Sequence, residues 1–190
     1  VGKSSMINQI LGTQRMVVSE RAGTTRDSVD TFLTRGDYSY LLIDTAGIRR
    51  KGRTREKLEK FSIIKALSAL DRCDIAVVLV DAAEGITEQD AKVIGYTQDQ
   101  GRGLILALNK WDLVENDRKR QKQILEELGR AVPFVGFAPV LKISAMTGYG
   151  VKRMFPVIGS VYRQYQQTFP TSALNRLLQD ALNISPFSFP

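Results

Sequence analysis

Three short runs of almost unbroken apolar residues, Ile75–Val80, Leu104–Leu108 and Pro139–Ile143, constrain this chain more than anything else in it. Each is too short for a buried helix and lacks the alternation of a half-exposed strand, so each reads as a strand covered on both faces. Helical stretches follow them in turn, at Glu88–Gln100, Asp117–Ala131 and Val151–Gln166. That alternation predicts right-handed βαβ units on a parallel sheet. Upstream, Ser28–Thr34 and Tyr38–Ile43 are joined by Arg35-Gly36-Asp37, a hairpin connection that adds an antiparallel strand. The fold class is therefore α/β, a mixed, mostly parallel sheet flanked by helices. Lys3–Leu11 is predicted as a helix and Arg15–Asp27 as a long loop. Arg55–Leu70, with Leu58, Phe61, Ile64 and Leu67 in its stripe, is predicted as a helix packed on the sheet.

Open α/β sheets bind ligands beyond the carboxyl ends of their strands, and the polar clusters of this sequence fall there. Asp44-Thr45-Ala46-Gly47 follows the second hairpin strand, Asn109-Lys110-Trp111-Asp112 the second apolar run, and Ser144-Ala145-Met146 the third. At the start of the chain, Gly2-Lys3-Ser4-Ser5 opens a helix whose amino end presents N–H donors and partial positive charge to a phosphate. Lys3 would lie along the β- and γ-phosphates and Ser4 would give its hydroxyl to Mg²⁺. Asp44 can hold a water on that ion, and Gly47 lets its N–H approach a γ-phosphate. Asp112 can accept from the N1–H and the exocyclic amine of guanine, two donors that adenine lacks there. Lys110 can lay its stem across the base, Asn109 can tie the loops together, and the Ser144-Ala145 backbone can donate to guanine O6. These residues select GTP and GDP over ATP.

Composition narrows the chemistry further. The chain has no histidine and one cysteine, which removes histidine acid–base catalysis, an internal disulfide and a zinc site. Cys73 reads as a small buried thiol. No apolar run is long enough to span a bilayer. A net charge of +7 favours an anionic partner. Six cationic residues, Arg49, Arg50, Lys51, Arg53, Arg55 and Lys57, fall within nine positions, directly after the expected γ-phosphate sensor. An anionic surface would relieve their repulsion, against the plain alternative of a solvated loop. The Arg118–Glu127 helix face reads as ordinary solvated surface.

The order Gly-Lys-Ser, Gly-Thr-Thr-Arg-Asp, Asp-Thr-Ala-Gly, Asn-Lys-x-Asp and Ser-Ala resembles that of Ras-like P-loop GTPases. Ala22–Asp27 narrows the likeness to the bacterial branch that contains the tRNA-modification GTPase, Era and Der. The stretch Asp44–Arg53, with Glu59–Ser62 and Phe169–Ser172, is similar to the Der (EngA) family, in particular its second G domain entering the KH-like domain that follows. The likeness covers nearly the whole chain and weakens from Asn183 to Pro190.

The resemblance implies a G domain over residues 1–168 and the beginning of a KH-like domain over 169–190. It also implies that the chain starts after the first strand and the first half of the phosphate loop. It implies a cytoplasmic GTP-hydrolysing switch acting in large-subunit ribosome assembly, with the large subunit and its rRNA as partners and no membrane. Lys3, Ser4 and Ser5 become phosphate contacts, and Lys3 and Thr25 the catalytic residues. Thr25 would join Ser4 and Asp44 around Mg²⁺ as the switch-I hydroxyl, with Thr24 as the second candidate. Asp44–Ile48 become switch II. Asn109, Lys110, Trp111, Asp112, Ser144, Ala145 and Met146 line the base pocket, Trp111 as its lid. Ile48 stands where many Ras-like proteins carry a water-orienting Gln, so hydrolysis should be slow. K⁺ near switch I is a candidate ion in place of an arginine finger, held by an upstream asparagine. An Era-like or other translation-factor-type GTPase and a non-catalytic docking module are the alternatives.

Overall fold

The structure is a computed structural model that describes residues 2–12, 17–22, 29–43 and 67–184. The first helix, α1 (Lys3–Leu11), precedes three strands, β1 (Val17–Ala22), β2 (Val29–Arg35) and β3 (Tyr38–Leu42). Then come β4 (Ile75–Asp81), α2 (Glu88–Asp99), β5 (Gly103–Asn109), α3 (Arg118–Ala131), β6 (Val140–Lys142), α4 (Met154–Tyr165) and α5 (Thr171–Ile184). Leu67–Leu70 is helical, and the rest of the helix expected from Arg55 lies outside the described residues.

The apolar runs form the predicted parallel sheet, in the order β4-β5-β6. Its register sets Asp81 opposite Asn109 and Leu108 opposite Lys142, so the carboxyl ends of β4, β5 and β6 lie side by side. Both faces are covered. On one, Leu104 and Leu106 pack with Ile94 of α2 and Leu128 of α3. On the other, Ala107 and Ile143 pack with Met6 and Ile10 of α1 and Met154 and Phe155 of α4. Two of the helices start at caps written in the sequence, while the helix expected from Val151 begins at Met154, after a 3-10 turn over Val151–Arg153. Thr87 and Asp90 form a reciprocal capping box at α2, and Asp117 accepts the Arg120 N–H at α3.

Two features differ from expectation. Val17–Ala22, within the expected loop, is a strand paired antiparallel with β2. Its sequence, VVSERA, has no alternation to betray it; partner backbone hydrogen bonds supply the order instead. Second, β1-β2-β3 form their own antiparallel sheet beside β4-β5-β6, where one mixed sheet was expected. The hairpin joins the core through side chains: Leu33 is fully buried against the Met6–Phe155 cluster, with Tyr40 and Leu42 beside it.

The polar face of α3 is also more than solvated surface. Arg120 donates to Ala82 O at 3.3 Å and pairs with Glu127 at 3.0 Å, fastening α3 to the turn after β4. Cys73 is half-buried, and burial raises its thiol pKa. At the far end α5 buries none of its residues, and Leu177 is 67% exposed. Among the described residues no helix is long and apolar enough to cross a membrane.

Candidate nucleotide site

The amino end of α1 and the carboxyl ends of β5 and β6 converge on one side chain. Asn109, the last residue of β5, is buried, and its Oδ1 accepts the Ala145 N–H at 2.9 Å. Its amide nitrogen lies against Gly2, where an added Cβ would approach to 2.3 Å. Gly2 also holds φ at +76°, a region that glycine alone enters without strain. Asn109 thus touches the start of α1 and the loop after β6, the tie between loops that its sequence position suggested.

Gly2 caps α1 without a side chain, and no acidic residue lies in the first turn, so nothing in that turn offsets the partial positive charge of the helix end. Lys3 and Ser5 are exposed there and Ser4 is half-buried. An anion is the fitting ligand for such an end.

On the other side of Asn109 the backbone turns sharply. Lys110 has φ 59° and ψ 32°, the one described residue other than glycine with positive φ. That conformation costs an L-residue about 1–2 kcal/mol. Its Nζ meets Asp81 Oδ2 at 2.5 Å, and no other donor reaches that oxygen among the described residues. Asp81 Oδ1 accepts from the Ala83 and Glu84 N–H groups at 3.0 and 3.3 Å. Burial pushes the Asp81 pKa up, but Lys110 and the two N–H groups outweigh it and hold the carboxyl below its ordinary value. The Asp81 hydrogen bond raises the Lys110 pKa in turn. A lowered carboxylate stabilises the fold above its unfolded pKa and ceases to do so as pH falls through its folded one. A raised ammonium acts below its unfolded pKa and is lost as pH rises through its folded one. The pair should therefore persist from mildly acidic to moderately alkaline pH and open at both extremes, which NMR titration of the Asp81 carboxyl and Lys110 ammonium signals would check.

Two residues further on, Asp112 sits in a 3-10 turn, Trp111–Leu113, and its Oδ1 is buried with no hydrogen-bond partner among the described residues. A buried carboxylate oxygen without a donor is costly, so this atom is shaped for a donor that a ligand brings. Guanine N1–H and its exocyclic amine fit it; adenine offers neither.

Trp111 does not serve as a lid. It is 4% exposed and packs with Val80, Leu108, Val114 and Ile124, while Lys142 Nζ lies 4.7 Å from its ring centre. Beyond the continuously buried run Leu104–Asn109, the turn at Lys110 sends the indole into the core. Trp111→Ala should lower stability by about 3–5 kcal/mol, as large aromatic truncations in a core do. Since Trp111 is the sole tryptophan, its emission should stay blue-shifted and barely respond to nucleotide, measured by fluorescence titration.

Ser144 is fully buried and its Oγ accepts the Thr147 N–H at 3.1 Å. The Ala145 N–H, expected for guanine O6, is already engaged by Asn109. Met146 projects outward, 78% exposed. Thr24, Thr25 and Asp44, Thr45, Ala46, Gly47 and Ile48 lie outside the described residues, as does the Arg49–Lys57 cluster. Arg35 donates to Lys152 O at 3.4 Å and stacks 4.3 Å over Phe155, while Asp30 pairs with Arg72, just before β4. β3 therefore starts near α4, and its last residue, Leu42, pairs with Thr31 of β2. Burying Leu33, Tyr40 and Leu42 against Met6, Ile10 and Phe155 accounts for this seating.

Sequence reasoning missed Asp81. Its signal was a carboxylate directly after an apolar strand, at the same sheet end as the other clusters.

Comparison with known proteins decides the family. Residues 1–110 match the 50S ribosome-binding GTPase family. The chain belongs to it. The chain is also similar to proteins named GTPase Der. It is 48% identical over 182 residues to that of Desulforapulum autotrophicum and 48% to that of Syntrophobacter fumaroxidans, covering 96% of this chain in both cases. The chain spans 37% and 41% of those two relatives. Among solved structures it resembles Era in complex with MgGDPNP and nucleotides 1506–1542 of 16S ribosomal RNA. There the TM-score is 0.62 at 24% identity, over 90% of this chain and 56% of that one. This second likeness establishes the G-domain fold. The Asn109–Asp112 and Ser144–Met146 loops stand together at the carboxyl end of the parallel sheet.

Proposed function

We propose that this chain is the guanine-nucleotide-binding part of a longer GTP-hydrolysing switch protein of the Der type, acting in assembly of the large ribosomal subunit. One observation carries the nucleotide reading: the buried Asp112 Oδ1, without a donor among the described residues and three residues beyond an asparagine that joins two loops. The family's description as ribosome-binding supports the cellular role, and the basic Arg49–Lys57 run suits an RNA surface.

Within that reading Lys3 and the first-turn amides hold the phosphates. Ser4, Thr25 and Asp44 are the residues that would hold Mg²⁺, which neutralises developing phosphate charge when bound. Thr24 stands beside Thr25 as the other candidate hydroxyl. Ile48 can neither orient water nor accept its proton, so intrinsic turnover is slow and the output is a change of switch conformation. K⁺ is a further ion of this site, residues 169–190 open a KH-like domain, and the protein works in the cytoplasm.

Equilibrium binding of fluorescent GTP, GDP and ATP to the full-length protein, in K⁺ and in Na⁺, tests the reading. Guanine nucleotides should bind and ATP should not, with K⁺ accelerating hydrolysis. Equal binding of ATP, or no guanine binding, would sink it.

A further inference from the structure

We propose that Asp81 is a positioning residue for guanine recognition, holding the Lys110 ammonium so that the Asn109–Asp112 turn is set before nucleotide arrives. The proposal rests on the guanine-binding reading above. Asp81 lies opposite Asn109 in the β4–β5 register, and the Ala82 N–H donates to Asn109 O at 2.9 Å, so the two strand ends are one unit. Lys110 stands in the left-handed region between that unit and Trp111, which is fixed in the core. The Leu113 N–H donates to Lys110 O at 3.0 Å and the Trp111 N–H to Ile143 O at 2.9 Å, which fixes the turn backbone. The lysine side chain carries no acceptor of its own and is placed by the ion pair. Asp81 is 2% exposed and Lys110 41%, so the buried partner sets where the mobile one goes. With Nζ anchored on Asp81, the lysine stem is held across the turn that carries Asp112 at its next residue but one. Of the partners of the Asp81 side chain described above, Lys110, Ala83 and Glu84, only Lys110 belongs to the recognition turn, so Asp81 acts on that turn through Lys110.

A double-mutant cycle in the full-length protein tests this. Asp81→Asn keeps the Oδ1 acceptor for Ala83 and Glu84 but removes the charge that holds Lys110. It should weaken GDP binding roughly tenfold, and it should narrow the preference for GDP over IDP, whose base lacks the amine facing Asp112. On a Lys110→Met background the same change should have no further effect. A carboxylate that merely braces the β4 turn would instead lower GDP and IDP equally and add its loss to that of Lys110→Met. Either of those results, or wild-type binding by D81N, overturns the proposal. Wild-type protein provides a check that needs no variant: the Lys110 ammonium should give a slowly exchanging ¹⁵N signal that persists with GDP bound. A signal averaged with solvent in both states overturns the proposal even if D81N fails to fold. If wild-type protein shows no preference for GDP over ADP, the guanine-binding reading itself falls, and with it the role of Asp81; a normal preference with unchanged D81N removes only the latter.

Discussion

Asp112→Ala should weaken GDP binding by at least about 100-fold while leaving the ligand-free protein as stable as before, or more so. The two halves of this expectation come from one atom. Asp112 Oδ1 is buried and accepts no hydrogen bond among the described residues. Deleting a buried, unpaired acceptor removes a penalty of about 1–3 kcal/mol. With guanine bound, the same carboxylate would accept two charge-assisted hydrogen bonds, each worth about 1.5–3 kcal/mol. Losing both corresponds to roughly two to four decades of affinity. Fluorescent-GDP titration and thermal melting of the same samples separate the two effects. Asp112→Asn sharpens the test, because its amide offers one donor and one acceptor. It should lose GDP yet gain xanthosine diphosphate, whose base carries a carbonyl in place of the guanine amine. A melting point that falls along with GDP affinity would mean that Asp112 is a brace of the 3-10 turn and not a recognition group.

Gly2→Ala should act in the opposite manner, removing nucleotide binding and stability together. A Cβ at that position would lie 2.3 Å from Asn109 Nδ2, and the φ of +76° adds left-handed strain. Asn109 cannot yield cheaply, since its Oδ1 satisfies the Ala145 N–H and the residue is 2% exposed. The left-handed backbone costs about 1–2 kcal/mol, and an orphaned Ala145 N–H about 1–3 more. A loss of about 2–5 kcal/mol in urea unfolding is the expected sum. Binding of GDP should fall below detection, because the helix end and both base loops meet at that contact. Asn109→Ala, which makes room for the methyl group, should restore part of the stability of Gly2→Ala and none of its binding. If Gly2→Ala unfolds at wild-type urea concentration, the close approach of α1 to β5 is not what holds these loops together.

The sequence made the parallel half of the fold and the guanine side of the site legible for a physical reason. Runs such as Leu104–Leu108 are apolar on both faces, and the polar residues that interrupt them mark strand ends without ambiguity. Asn109 and Asp112 could be assigned roles because their chemistry is scarce at such positions. Trp111 misled because an aromatic residue between two recognition residues suits a lid and a core equally well; only packing against Leu108 and Ile124 separates the two. Val17–Ala22 was hidden because an edge strand takes its order from a partner's backbone. The seating of β2 and β3 depends on which apolar face Leu33 and Tyr40 find, and that is a tertiary choice invisible in periodicity. Asp81 escaped notice because a lone aspartate after a strand is common, and its meaning lies wholly in what Lys110 does.

The register of β4, β5 and β6 has a consequence for how the protein is made. Asp81, Asn109 and Ser144 belong to segments separated by 28 and 35 residues of chain, and they meet only when both parallel pairings exist. Parallel pairing requires long loops to close before any contact rewards them, which makes it slow. Nucleotide therefore cannot act as an early template on this half of the site. In refolding followed by stopped flow, competence to bind GDP should emerge with the last phase of sheet formation, and adding GDP at time zero should leave that rate unchanged while slowing only the reverse reaction.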